Sequence, residues 1–214
     1  GLHDPDLGYR IYQLNQALQP EEERDLHFTV ELKPNGFGNS MAQTQIVENG
    51  SFFSSRVFPG FGYENRLEIA DRSERRKRNL GEPERMPKLE NEAARANTYL
   101  GDDADWVDFK TSICTAPDQI ALAPGYLTED VMRDGRRCFS YAMDRPMLNF
   151  YAYLSARWQV KKAVYTSALT GNKQIPIEVY FDAKHPYNVD RMIDSMKKSL
   201  SYFEANFSPY QHRQ

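Results

Sequence analysis

The feature that most constrains this chain is a change of hydrophobic period close to its C-terminal end. Between Tyr187 and Gln214 the apolar residues Val189, Met192, Ile193, Met196, Leu200, Phe203 and Phe207 recur at spacings of three and four, which places them on one stripe of a helix. Asp190, Asp194, Lys197, Lys198 and Ser201 fall on the other sides. Asn188 is expected as the N-cap, with Asp190 in the electropositive first turn. Ser208-Pro209 is expected to stop the helix, because proline restricts the residue before it. At ~1.5 Å of rise per residue the helix spans roughly 28 Å. A stripe of that length needs a partner surface, and the expectation is that it docks only partly on the rest of this chain.

Before that point the apolar residues follow a period of two. Leu26, Phe28, Val30 and Leu32 alternate with His27, Thr29 and Glu31, which predicts a strand paired with Gly8–Leu14 across the turn at Pro20-Glu21-Glu22-Glu23. Asn49-Gly50 predicts a tight turn between two short strands. Val107, Phe109, Thr111 and Ile113 share one face, and Phe139, Tyr141 and Met143 share another. Strand patterns follow at Phe150–Ala156, Trp158–Tyr165 and Ile175–Phe181, with Gly125, Gly135, Pro146 and Gly171 in the links. The fold class expected is mainly β, an antiparallel saddle-like sandwich with a long C-terminal α-helix. The division expected is a β domain over 1–186, with a long polar insertion at about 70–104, and the start of a further domain at 187–214.

Within the insertion, Arg72, Arg75, Arg76, Lys77 and Arg78 are interleaved with Asp71, Glu74, Glu82 and Glu84. Acids are mixed in and aromatics are absent, so a solvated loop or short helix fits better than a nucleic-acid patch. A second short helix is expected near Glu90–Asn97. The net charge of −3 over 214 residues supplies no field for nucleic acid, and no apolar run approaches the ~20 residues of a membrane span. Gly1-Leu2-His3 carries neither an initiator Met nor a signal pattern, and the start is expected to be a boundary within a longer chain.

Catalytic signatures are missing. His3, His27, His185 and His212 form no HExxH, in which two imidazoles one turn apart hold zinc. There is no GxSxG elbow and no cysteine with an evident histidine partner. Gly36-Phe37-Gly38 and Gly60-Phe61-Gly62 lack the third glycine of a phosphate loop and read as turns. Asp102, Asp103 and Asp105 read as solvated surface. Asn49-Gly50-Ser51 and Asn206-Phe207-Ser208 match a glycosylation acceptor, a weak three-residue pattern. Cys114 and Cys138 cannot supply a zinc site alone. A cross-strand disulfide and two free thiols are both open, free thiols being the commoner outcome.

A resemblance accounts for the missing chemistry. The segment Phe203-Glu204-Ala205-Asn206-Phe207-Ser208-Pro209-Tyr210-Gln211-His212-Arg213-Gln214 resembles the opening of the catalytic domain of aminopeptidase N-like (gluzincin) zinc metallopeptidases, in the bacterial branch fused to ABC-transporter permease segments. The likeness extends through Asn49-Gly50-Ser51-Phe52, Phe58-Pro59-Gly60-Phe61-Gly62-Tyr63, Ala104-Asp105-Trp106-Val107-Asp108-Phe109, Asp118–Leu127, Met143-Asp144-Arg145-Pro146 and Leu154-Ser155-Ala156-Arg157. It implies a non-catalytic N-terminal β domain, with the zinc ligands and the Gly-x-Met-Glu-Asn loop belonging to a catalytic domain beyond Gln214. No cofactor is expected here, and zinc is expected in the parent protein.

In that family a Gln ahead of the Phe-Pro pair helps bind the substrate's free amino terminus. Counting back from Phe58-Pro59 reaches Asn49 and Gly50, which the resemblance marks as substrate-facing although neither is Gln; turn formation is the competing and favoured role. The partners implied are the rest of the parent chain, with its catalytic domain and membrane segments, and a peptide substrate in the intact protein. Neither nucleic acid nor direct membrane insertion is implied. The location implied is a soluble, extracytoplasmic portion of a bacterial membrane protein. The alternative is a β-sandwich interaction domain of a transporter without peptidase activity.

Overall fold

The computed structural model describes residues 1–6, 9–33, 45–47, 49–60, 68–83, 85–96 and 106–213. They fall into two compact units, Gly1–Lys33 and Pro34–Gln214. The fold is mainly β, its strands pair antiparallel throughout, and one long helix closes the chain.

In the first unit β1 (Leu2–Asp4) pairs with β2 (Tyr9–Ile11), with His3 opposite Arg10. Pro20–Glu22 forms the expected turn: the Glu22 amide donates to the Gln19 carbonyl at 3.0 Å, and the Gln19 amide donates to the Glu22 carboxylate at 2.9 Å. The strand expected at Leu26–Leu32 is absent. Those residues have no regular structure, and Leu26 is 62% exposed. Alternation marks two faces, but a strand also needs a backbone ladder, and no neighbour among the described residues supplies one here.

The second unit opens with β3 (Ile46–Val47) and β4 (Gly50–Ser54), antiparallel with Val47 opposite Gly50. The turn therefore lies one residue earlier than expected, and Gly50 is the first residue of β4. It is buried, and a Cβ there would lie 1.8 Å from the Ser155 carbonyl oxygen. This glycine is required by close strand approach and not by a positive φ.

The charge run folds as α1 (Arg72–Lys77), capped by Asp71, whose carboxylate accepts from the Glu74 amide at 2.8 Å. Arg75 ties the run together through Glu68 at 2.9 Å and the Gly81 carbonyl at 2.6 Å. A 3-10 turn at Ala93–Ala96 stands in the second helical candidate. The expectations for Gly36-Phe37-Gly38, Phe61-Gly62 and Asp102, Asp103 and Asp105 lie outside the described residues.

Five strands build the central part: β5 (Trp106–Val107), β6 (Lys110–Thr115), β7 (Ile120–Leu122), β8 (Tyr126–Arg133) and β9 (Arg136–Ala142). The sheet β6-β9-β8 is closed by a two-residue hairpin at Asp134-Gly135, both at positive φ (49° and 75°), the Asp-Gly chemistry such turns require. β10 (Met147–Leu148) pairs with β5, and β11 (Ala152–Ala156) joins β3, β4 and β7 in the order β3-β4-β11-β7. Ala121, Phe139 and Tyr141 form the core between these sheets, flanked by Ile113, Ile120 and Ala123. A second apolar cluster sets the Phe109 ring against Tyr151 at 4.9 Å between centroids and a 44° tilt, with Phe58 and Tyr153 around it.

β12 (Trp158–Thr166) and β13 (Gln174–Asp182) form a nine-residue antiparallel ribbon. α2 (Val189–Asn206) packs on its face. Asn188 occupies the N-cap position, but at φ 62° it is left-handed and its side chain makes no cap bond. Asparagine tolerates that conformation better than most residues, and the helix starts from it as a backbone corner. The predicted stop holds, with the Phe207 amide donating to the Phe203 carbonyl ahead of Ser208-Pro209.

Candidate functional site

A cavity of 1030 Å³ is walled by α2, by the β7–β9 region and by the ribbon of β12 and β13. Its position follows from the pairing of the ribbon. The Ser167 amide donates to the Lys173 carbonyl at 2.9 Å, so Ser167 and Lys173 are a hydrogen-bonded pair. Antiparallel ladders alternate. With the register Tyr165–Ile175, Ala163–Ile177 and Lys161–Val179, the odd residues of β13 bond to β12, and Pro176, Glu178, Tyr180 and Asp182 turn their backbone groups outward. Pro176, which lacks an N–H, falls in the outward set, where a ladder tolerates it.

β13 lines the cavity with Ile175 to Glu178 and with Tyr180, and β12 adds Val160 and Lys162, the cross-strand partners of Tyr180 and Glu178, while β9 contributes the alternate residues Arg137, Phe139 and Tyr141. Cross-strand neighbours that line one space share a face of the ribbon. Met196, Leu200 and Phe203 of α2 form the opposite wall.

Two ion pairs neutralise the charges in this cavity. Arg137 donates to both oxygens of Asp130 at 2.9 and 2.7 Å, and Lys162 donates to Glu178 at 2.6 Å. Those hydrogen bonds hold both carboxyls below their ordinary values, the Arg137 bond being the main cause for Asp130 and the Lys162 bond for Glu178. The Tyr180 hydroxyl also donates to Glu178. Tyr141 donates to the Ala121 carbonyl at 2.8 Å, and burial pushes its hydroxyl up to about 12. What remains is a mainly apolar slot whose four charged side chains are paired with one another.

Asn49 lies at a different place. Its side-chain amide donates to Asp182 at 3.2 Å, and its backbone carbonyl accepts from Gln119 at 3.3 Å; Gln119 in turn accepts from the Thr115 hydroxyl at 2.7 Å. These bonds tie the β3–β4 turn to the end of β13. Gly50 is packed on Ser155, so neither residue lines the cavity. Cys114 and Cys138, opposite one another on β6 and β9, are joined in a disulfide.

Among the described residues no group of three or more His, Cys, Asp or Glu is placed to hold a metal ion. His185 reaches only Asp182, at 3.5 Å, and His212 packs on Tyr210. The described residues do not fit zinc. No helix among the described residues is long and apolar enough to cross a membrane.

Sequence reasoning missed the slot, because it depends on how α2 and the β12–β13 ribbon come together with β7–β9. The register signal was present in Pro176, which marks an outward position.

No family model matches the sequence, and no curated protein matches it. Among solved structures, the chain is similar to aminopeptidase A of Legionella pneumophila, crystallised with aspartic acid, with 21% identity over 59% of this chain and a TM-score of 0.47. It is also similar to a two-domain M1 zinc metallopeptidase variant bound to L-tryptophan, with 14% identity over 51% of this chain and a TM-score of 0.41. The matched regions cover 15% and 25% of the lengths of those two proteins.

Proposed function

We propose that this chain is the non-catalytic β domain of an aminopeptidase N-like zinc metallopeptidase, together with the first helix of its catalytic domain, and that it forms one wall of the peptide-binding cleft. The observation that carries the reading is the split apolar stripe of α2. Val189 and Ile193 are buried at 5% and 7% exposure, whereas Met192, Met196, Phe203 and Phe207 are 45–70% exposed. A helix with two apolar edges and one covered edge is built for a second surface.

In this reading the parent hydrolyses N-terminal residues from peptides, its zinc polarising the carbonyl and activating water in the catalytic domain. Asn49 and Gly50 would stand near the substrate's amino end, Asn49 with its amide oxygen and Gly50 by letting two strands approach. The permease fusion and an extracytoplasmic position belong to the same reading.

The test is the parent coding sequence beyond Gln214. HExxH followed by a distant Glu supports the proposal, and its absence sinks it in favour of an interaction domain. Purified as it stands, this chain is expected to hold no stoichiometric zinc and to release no amino acid from aminoacyl substrates. Tightly bound zinc in elemental analysis overturns that assignment.

A further inference from the structure

We propose that the Cys114–Cys138 disulfide is a thiol-exchange site. A low-molecular-weight anionic thiol attacks Cys114 and leaves a mixed disulfide there, and Cys138 is the buried thiol that closes the crosslink again. This site stands independently of the peptidase reading above.

The crosslink is reachable from one end. Cys114 is exposed on β6, whereas Cys138 is 1% exposed on β9. A disulfide exchanges by attack of a thiolate on one of its sulfurs, and access decides which one. Attack from solvent therefore falls on Sγ of Cys114, and exposed crosslinks are the labile ones.

Opening it breaks no ladder hydrogen bond. The Met143 amide donates to the Phe109 carbonyl at 3.0 Å, so those two residues form a bonded pair. With Lys110 opposite Ala142, the antiparallel ladder alternates from there. Thr111–Tyr141, Ile113–Phe139 and Thr115–Arg137 are then the bonded pairs, and Cys114–Cys138 falls between two of them. The Ser140 carbonyl, which accepts from the Thr128 hydroxyl at 3.0 Å, likewise faces β8 and not β6. Side chains alternate between faces as well. Phe139 and Tyr141 belong to the core and line the cavity, so Cys114 and Cys138 lie on the other face of the sheet. The S–S bond can break while the core contacts and the ladder persist.

Charge selects the thiol. The Arg136 guanidinium donates to the Cys114 carbonyl at 2.9 Å, which sets a cation beside the attacked residue. Arg133, opposite Arg136 on β8, is paired with Glu129, and Arg137 is paired with Asp130, each at 2.7 Å. Arg136 has no ion-pair partner among the described residues. Glu129, the acid on this face, is held by Arg133 and by the Ser140 hydroxyl at 3.2 Å. An incoming thiolate, and any carboxylates it carries, meets an unneutralised guanidinium.

The step balances. A thiolate RS⁻ forms a bond to Sγ of Cys114 as the Sγ–Sγ bond breaks. Cys138 leaves as a thiolate and takes from solvent the proton that RSH gave up, so RSH and the disulfide become a mixed disulfide and one buried thiol. Cys138 lies directly opposite Cys114 and reverses the step by expelling RS⁻. A second thiol attacking the mixed disulfide releases RSSR and leaves two cysteines, the protein gaining the two electrons that the thiols lose.

Reduced glutathione and cysteamine test the assignment on this chain as it stands. After acid quenching at early times and alkylation, peptide mass spectrometry is expected to place the glutathione adduct on Cys114 and the alkyl label on Cys138. Arg136→Gln should slow exchange with glutathione, whose attacking form is doubly negative, by ~5-fold, and should leave cysteamine, whose attacking form is net neutral, nearly unchanged. The difference should vanish at about 1 M salt, where the Debye length falls to ~3 Å. An adduct on Cys138 overturns the proposal. So does a folded crosslink that resists glutathione under conditions that reduce the urea-unfolded chain, and so does an equal effect of Arg136→Gln on the two thiols.

Discussion

The Tyr165 hydroxyl donates to Oε2 of Glu204 at 2.8 Å, joining the last part of β12 to the last turn of α2. Glu204 is 6% exposed. Burial pushes its carboxyl up, but the hydroxyls of Ser167 and Tyr165, the Tyr210 backbone and the Lys173 charge together hold it below its ordinary value. Tyr165→Phe removes one of those donors and leaves a carboxylate to be desolvated without it. The expected outcome is a lower urea midpoint and faster amide exchange in the last two turns of α2, with the Asp134-Gly135 hairpin unchanged. Equal midpoints for the variant and the parent sequence would show that the contact does not hold the helix.

The groove carboxylates give stability a defined acid limb. Asp130 and Glu178 lie below their ordinary values of 3.8 and 4.5 because Arg137 and Lys162 hydrogen-bond them. A carboxyl lowered on folding contributes stability that is complete above its unfolded pKa and is lost as pH falls through the folded one. The urea midpoint is therefore expected to be flat from pH 7 down to about pH 5 and to drop below that. Arg137→Gln should make the acid limb shallower while leaving its position near the ordinary carboxylate range. A midpoint that rises on acidification contradicts this.

Gly50 and Gly60 are a matched pair for testing close approach. A Cβ at Gly50 meets the Ser155 carbonyl oxygen at 1.8 Å, whereas at Gly60 it meets nothing within 4 Å. Gly50→Ala should destabilise by ~3 kcal/mol or more, since strand backbone must move, and Gly60→Ala by no more than about 0.5 kcal/mol. Denaturant melts of the two variants side by side check it, and a tolerated Gly50→Ala would refute the packing of β4 on β11.

The disulfide closes a loop across β7 and β8, with a sequence separation of 24. Chain-entropy reasoning assigns such a loop about 3 kcal/mol. Reduction, or replacement of Cys114 and Cys138 by serine, should lower the urea midpoint accordingly, with thiol titration confirming two free thiols only after reduction. Two reactive thiols in the untreated protein would rule the crosslink out.

Much of this fold was legible because its strands carry local signals. β9, β12 and β13 each alternate over part of their length, and Gly135 and Gly171 mark their links. β8 was missed because a bulge between Leu127 and Glu129 shifts its register, so its residues do not alternate on one face, although Asp134-Gly135 announced the hairpin. Leu26–Leu32 misled for the opposite reason, presenting alternation without a partner. In the slot, Phe139, Tyr141 and Leu200 look like any core residues; their exposure to a cavity is set by long-range pairing that no local pattern contains. Cys114 and Cys138 carried no pairing signal of their own, since their opposition depends on the β6–β9 register.

The two apolar edges of α2 should respond differently to substitution. Val189 and Ile193 lie along one line of the helix, and that line is the covered one; Met192, Met196 and Phe203 lie along a second line, turned by roughly a sixth of the circumference at 3.6 residues per turn. Ile193 is 7% exposed and Met192 is 50% exposed. In this chain Ile193→Ala should cost about 3 kcal/mol, through lost burial and the cavity it leaves. Met192→Ser and Phe203→Ser should cost no more than about 0.5 kcal/mol each, because neither leaves a packed site. In the parent polypeptide Phe203→Ser should move into the range of a core substitution, about 3 kcal/mol, because the second surface proposed for the helix packs on it. The comparison uses denaturant melts of the same substitution in both proteins. If Phe203→Ser costs equally little in both, the exposed edge has no partner in the parent and the proposed second surface is wrong; if it is already severe in this chain, the helix is more fully docked than its exposure indicates.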